Sequence, residues 1–372
     1  MVAETRRVDA SVGRATAAAP HVSAVVPAFN GAAVITRALE SLAAQHFTDI
    51  EWVVIDDASQ DATAEMVREF LEDYPGKGKL VRHSENWGLS RSLNHGLRES
   101  AGELVLIVHQ DIVLGSADWV ARAVADLERD PSVAVVTGNY GIPVIAEVDF
   151  AQRVFGVLRR QFHQGPAGGS EYATFTEFKC DLIRRRSLEA VGGFPERFRI
   201  AGEDLWVSYS LQERGERIFK DFSLRSVQRF TGDATTVGGN LRKEFLFAKV
   251  LSGTLLRFRS RVARGLARTP YSRSRSWNRA SQPVVALAGL VLLLAALLTG
   301  VWWIWAALGA VVVGRLGYYS VRLYPVLRSI LGHVGRALAE SLAGSFLGLV
   351  SDVVYSAGLF TGLLRWRQRG TV

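Results

Sequence analysis

Five carboxylates stand where a chain can place chemistry: Asp56 with Asp57, Asp111, and Glu203 with Asp204. The first pair ends the apolar run Val53-Val54-Ile55 and leads through Ala58-Ser59-Gln60-Asp61 into a helical pattern. Acids at the C-terminal end of a buried strand lie where open α/β sheets bind ligands. A plain strand–helix turn has the same composition, with Ser59 or Asp61 accepting from the first N–H groups of the helix. Asp111 follows a second apolar run, Leu104 to Val108, after His109 and Gln110. One carboxylate at a strand end suits Mg²⁺ or Mn²⁺, hard cations that take oxygen ligands and keep water and substrate phosphates around them. His109 reads as a packed strand-end imidazole before it reads as a ligand. Glu203 and Asp204 open a helix after Gly202, where acids serve either as partners of the helix dipole or as a base beside a reacting hydroxyl.

Holding these acids in place requires alternating strands and helices. Val22 to Pro27 reads as a buried strand ended by the Asn30-Gly31 turn, and Ala32 to Gln45 has helical periodicity. Strand patterns recur at 51–55, 80–81, 104–108 and 133–137, with helical patterns at 62–71, 89–98 and 117–129. This alternation predicts an α/β fold built on a parallel, doubly wound sheet. Residues 141–180 mix Gly, Pro and aromatics without a period and predict loops with a few strands of mixed direction. A short helix from Ser187 stops at Gly192-Gly193, and a further helix runs from Gly202 to Glu213. Residues 1–20 lack an apolar stretch and read as a disordered tail without a secretory signal.

The chain of 372 residues carries 44 Lys and Arg against 36 Asp and Glu, a formal charge of +8. The excess lies late, between Arg242 and Arg279 and at Arg365, Arg367 and Arg369, beside apolar stretches. That placement favours an anionic membrane surface over nucleic acid, for which there is no motif. Cys180 is the only cysteine, so an intrachain disulfide and a zinc cluster are excluded. Residues 236–282 predict a basic amphipathic helix (241–265) and a Ser/Arg/Pro linker (269–282). From Pro283 to Gly314 there is no charged residue, a stretch longer than the roughly 20 residues that a bilayer needs. A break at Leu298-Thr299-Gly300, followed by Trp302, Trp303 and Trp305, predicts a hairpin of two transmembrane helices within 283–323. Flanking arginines place both outer ends in the cytoplasm. The small residues Ala306, Ala310 and Gly314 are spaced to let the two spans pack closely. Residues 324–372 predict amphipathic or interfacial helices with a basic C-terminus, a third span being the alternative.

Taken together, Val25-Val26-Pro27-Ala28-Phe29-Asn30, Val54-Ile55-Asp56-Asp57-Ala58-Ser59, Asn86-Trp87-Gly88 with Asn94, Gln110-Asp111, and Gly192-Gly193-Phe194 before Gly202-Glu203-Asp204 resemble the ordered motifs of glycosyltransferase family 2. The resemblance covers residues 20–235. It implies a GT-A catalytic domain over 21–235, a nucleoside-diphosphate sugar as donor, a divalent metal and an inverting transfer. It further implies that the backbone of Pro27, Ala28 and Phe29 and the side chain of Asp57 hold the base of the donor, with Asn86, Gly88, Asn94 and Gln110 lining the same pocket. Asp111 would carry the metal, and Asp204, beside Glu203, would be the base. Two departures stand out. His109 and Gln110 interrupt the family's Asp-any-Asp pattern, and no histidine follows the acid pair near Gln228. Arg225 to Arg229 lacks the Arg-Trp pair of processive synthases, which favours single addition. The expected protein is a multi-pass enzyme of the cell membrane with a cytoplasmic catalytic domain. It would bind membrane lipids and a lipid-linked or glycan acceptor, and no nucleic acid. A polysaccharide or protein acceptor, or a membrane-tethered sugar-nucleotide sensor, is the alternative.

Overall fold

The computed structural model describes residues 20–141, 149–158, 168–198, 202–229, 236–258 and 270–369. The tail read at 1–20 lies outside them except for Pro20. The chain divides into two compact units, residues 1–142 with 164–231 and residues 143–163 with 232–372.

The first unit is a nine-stranded mixed sheet in the order β3-β2-β1-β4-β8-β6-β9-β5, with β7 paired to β9. Its first half is the expected βαβ succession: β1 (Val22–Ala28), α1 (Ile35–Ala43), β2 (Ile50–Asp56), α2 (Thr63–Glu72), β3 (Gly78–Arg82), α3 (Leu89–Glu99) and β4 (Leu104–Val108). These four strands are parallel. There follow β5 (Ile112–Leu114), α4 (Trp119–Arg129), β6 (Val133–Gly141), β7 (Ser170–Ala173), β8 (Cys180–Arg184), α6 (Arg185–Ala190), α7 (Glu203–Glu213) and β9 (Arg217–Gln228), while α5 (Phe150–Leu158) belongs to the second unit. β8 runs antiparallel to both β4 and β6. The strands are apolar on both faces because both faces are covered. Val22, Ala24 and Val26 pack with Leu39, Val67 and Trp119 on one side. Val25, Val105 and Ile107 pack with Leu93, Phe194, Val207 and Leu211 on the other.

The second unit is helical: α5, α8 (Val237–Arg257), α9 (Pro270–Thr299), α10 (Trp302–Leu331) and α11 (Val334–Arg369). The linker expected at 269–282 is helical from Pro270, where a proline has no N–H to lose in the first turn. The predicted hairpin break falls at Gly300, in the left-handed region at φ 66°. Gln282–Thr299, Trp302–Ser329 and Val334–Leu364 are each long and apolar enough to cross a membrane. The third of these lies within one continuous helix of 36 residues, where the sequence favoured interfacial pieces. Its polar residues are turned inward: Ser341, Ser345, Asp352 and Ser356 are buried, while Leu338, Leu342, Phe346, Val353 and Phe360 are exposed.

Side chains from α10 and α5 meet that polar stripe. Arg315 donates from Nε to Asp352 Oδ2 at 2.8 Å and from Nη2 to Oδ1 at 3.2 Å, and the Tyr319 hydroxyl donates to Oδ1 at 2.5 Å. Arg153 of α5 forks onto Glu340 with two bonds of 2.9 Å. A Cβ at Gly358 or Gly362 would run into the carbonyl oxygens of Phe245 and Lys249, so those glycines let α8 lie directly on α11. The stripe Ala306, Ala310 and Gly314 is exposed instead, so the close helix contacts of this unit come from α11.

Candidate active site

The C-terminal ends of β1, β2 and β4 bring the first motifs together. Asp57 N–H donates to the Ala28 carbonyl at 2.8 Å, which extends the β1–β2 ladder by one residue. The chain then reverses through Ala58, which takes a left-handed φ of 62°. Ser59 acts away from α2 and does not cap it, while Asp61 acts both ways. Ser59 Oγ accepts from Asn30 N–H at 2.9 Å, and Asp61 accepts from Ala32 N–H at 3.1 Å and Thr63 N–H at 3.1 Å. The turn after β2 therefore fixes the loop after β1.

Asp57 is buried, and its carboxylate is held by three donors. Trp87 N–H and Gly88 N–H reach it at 2.8 Å each, and His83 Nδ1 lies 2.7 Å away. Burial alone would raise the Asp57 pKa, but the His83 bond and the two backbone donors outweigh it and hold the carboxyl below its ordinary value. Asn86 Nδ2 reaches the Asp57 carbonyl at 3.4 Å, so Asn86, Gly88 and Asp57 form one cluster. His83 extends it through His95 at 2.8 Å and stacks on Trp87 at 3.9 Å. Sequence reading passed over His83, although it stands three residues before Asn86 at the end of β3.

Gln110 brackets the backbone of Phe29. Its Oε1 accepts from Phe29 N–H at 2.9 Å and its Nε2 donates to the Phe29 carbonyl at 3.0 Å. The Phe29 ring is left exposed at the mouth of the sheet. Asn94 is placed differently. Its amide clasps the Phe194 backbone at 2.9 and 2.8 Å and reaches Glu196 at 3.2 Å, which anchors the loop that leads toward α7.

Asp111 sits between β4 and β5, where Gln228 Nε2 donates to its Oδ2 at 2.9 Å. β9 pairs Gln228 with Ile112, so the residue at the position of the missing histidine touches the same carboxylate. Lys179 lies 3.4 Å from the other end of that amide and 2.6 Å from Glu177. The His109 Nε2 is buried without a partner, and burial pushes the imidazole down to about 4 against the pull of Asp111. Among the described residues no three His, Cys, Asp or Glu side chains gather into a metal cluster. Asp111 would still suit a Mg²⁺ or Mn²⁺ ion whose other ligands come from substrate phosphates and water. Gln228 was not legible as a neighbour of Asp111, because only the β5–β9 pairing brings it there, and Lys179 arrives by the β4–β8 pairing, where its carbonyl accepts from His109 N–H at 2.9 Å.

Glu203 and Asp204 are both buried at the first turn of α7. Gly202 precedes them in the left-handed region at φ 101°, which lets the chain turn sharply into the helix. Burial, with Asp204 beside it, raises Glu203 to about 8, and its Oε2 has no hydrogen-bond partner. Glu203 is thereby biased toward its uncharged form beside Asp204.

A mixed sheet with acids at the ends of β2 and β4, and an acid pair at a following helix, defines the GT-A class of nucleotide-sugar transferase folds. A mannosyltransferase of Pyrobaculum calidifontis, solved with GDP-Man and Mn²⁺, has the same fold, with a TM-score of 0.55, 22% identity and 88% coverage of each chain. Residues 23–192 match the model of glycosyl transferase family 2, and the chain carries a domain of that family. Relatives include a poly-β-1,6-N-acetyl-D-glucosamine synthase of Staphylococcus epidermidis, 25% identical over 170 residues, which are 44% of this chain and 40% of that one. A PGL/p-HBAD biosynthesis glycosyltransferase of Mycobacterium bovis is 31% identical over 134 residues, 36% of this chain and 50% of that one. The chain spans half or less of the length of these two relatives.

Proposed function

We propose that the protein is an inverting glycosyltransferase that moves one sugar from a nucleoside diphosphate to a hydroxyl or phosphate of a membrane-bound acceptor. The acceptor of this reading is a polyprenyl-linked intermediate met at the cytoplasmic face of the cell membrane, in the synthesis of a cell-envelope glycan. The buried Glu203–Asp204 pair carries the reading, since a module that only binds a sugar nucleotide has no need of an acceptor-side base.

Each step has a residue. Phe29 with Gln110, and Asp57 with the 86–88 turn, form the donor's base pocket. Asp204 takes the proton of an acceptor hydroxyl as that oxygen bonds to the anomeric carbon, whereas an acceptor phosphate oxygen is already ionised and gives up none. The bond from that carbon to the diphosphate breaks on the opposite face, so configuration inverts and a nucleoside diphosphate leaves. Asp111, positioned by Gln228, would hold the divalent cation, which when bound neutralises charge on the leaving diphosphate. Membrane anchoring through the apolar helices supports a lipid acceptor, because confinement to one surface raises the effective concentration of the two reactants.

Asp204→Asn tests the assignment. Turnover is expected to fall by about 10²–10⁴-fold, the usual worth of a positioned base, with nucleotide binding unchanged by calorimetry. Turnover that survives the substitution removes Asp204 as the base.

A further inference from the structure

The loop between α6 and α7 carries a cation without an acid. Arg197 stacks its guanidinium 3.9 Å from the centre of the Trp206 ring and 4.9 Å from that of Phe198. Trp206 lies on the first turn of α7, three residues after Glu203 and so on the same side of the helix. The neighbouring acid is already engaged, since Glu196 pairs with Arg91 at 3.2 Å and with Asn94 at 3.2 Å. Among the described residues the exposed Arg197 has neither an ion pair nor a hydrogen bond, and its contacts are the two aromatic rings.

Stacking occupies the face of a guanidinium and leaves its in-plane N–H donors free. Two such donors match two oxygens of a phosphate. The loop is also anchored against drift. Asn94 clasps Phe194, and Ser90 Oγ donates to the Phe198 carbonyl at 2.8 Å. Among the described residues Lys179 is committed to Glu177 at 2.6 Å. An anionic acceptor approaching Asp204 meets a like charge and needs a cation on its own side of the site.

We propose that Arg197, laid on Trp206, is the contact for a phosphate group of the acceptor, next to the acid pair at the head of α7. This rests on the reading of a phosphorylated lipid acceptor. It adds a recognition element that separates such a lipid from the corresponding free alcohol. Arg197 here is a binding residue, and proton transfer stays with Asp204.

The test uses the full chain in detergent micelles, with a short polyprenyl monophosphate and the matching polyprenol as probes, read by calorimetry beside GDP and UDP. The native protein is expected to bind the phosphate form at least about tenfold more tightly than the alcohol, or about 1.4 kcal/mol. Arg197→Gln, which can still stack on Trp206, should reduce that preference to near unity and leave nucleotide affinity and the thermal midpoint unchanged. Arg197→Lys should restore part of it, and serves also if the glutamine variant does not fold. A full phosphate preference in both variants overturns the inference while leaving the proposed function standing. An equal loss of nucleotide affinity overturns it too, by assigning the cation to the donor. A native protein with no phosphate preference defeats the lipid-phosphate acceptor itself and the inference with it.

Discussion

The two units bury acids in opposite ways. In the helical unit Asp352 and Glu340 each face an arginine that forks onto both oxygens, and Tyr319 adds a third donor to Asp352. In the sheet unit Glu203 is buried beside Asp204 with an oxygen that meets no donor, and it keeps its proton instead. Burying a charge is costly unless it is paired, so an unpaired buried acid persists only where something else is gained. The difference separates paired acids that hold structure from the acids proposed here for proton transfer. Asp57 stands between them: it is tied by three donors, yet it lies at the mouth of the sheet where a base would sit.

Breaking the paired side should change stability first. Asp352→Ala leaves Arg315 buried without its carboxylate and is expected to destabilise the protein by about 3–5 kcal/mol. The reading is a lowered thermal midpoint in detergent, with nucleotide affinity unchanged in the protein that stays folded. A smaller effect is expected at the join between donor motif and acid pair. Asn94→Ala removes three side-chain bonds to the 194–196 loop and should cost about 1–3 kcal/mol. Because that loop leads to Asp204, turnover should fall more than nucleotide affinity does. Equal losses of both would return Asn94 to the donor pocket.

A third effect is a slope with pH. Folded Glu203 holds its proton up to about 8 against an ordinary value of 4.5, so the folded state binds that proton more tightly than the unfolded state does. Its contribution to stability is therefore greatest below pH 4.5 and is lost as pH rises through 8. Glu203→Gln should flatten the midpoint-against-pH curve across that window, by up to about 1.4 kcal/mol per pH unit. An unchanged slope would mean that the acid pair is not coupled as described.

What the sequence made legible follows the same division. The strands of the βαβ half announce themselves, because a strand covered on both faces is a continuous apolar run between turn residues. The acids at their ends were legible for the same reason. The contact of Gln228 with Asp111 was not, since it depends on β9 returning beside β5 after more than a hundred residues. Nor was the grip of Asn94 on Phe194, which crosses a similar distance in the chain. In the helical unit the spacing of Ala306, Ala310 and Gly314 pointed to a packing face, yet those residues are exposed, and Gly358 and Gly362 of α11 make the close approach to α8. Spacing marks which residues share a face; only tertiary partners decide which face is covered.

The most direct test of the account follows nucleoside diphosphate release by the full-length protein in detergent, across a panel of nucleotide sugars, with Mn²⁺ or Mg²⁺ and a membrane lipid extract. The expected result is release from one donor that is stimulated by lipid, needs the metal, and is lost in Asp111→Ala. Tight binding of a donor with no release under any of these conditions would contradict it, and would make the buried acid pair part of a sensor rather than of a transferase.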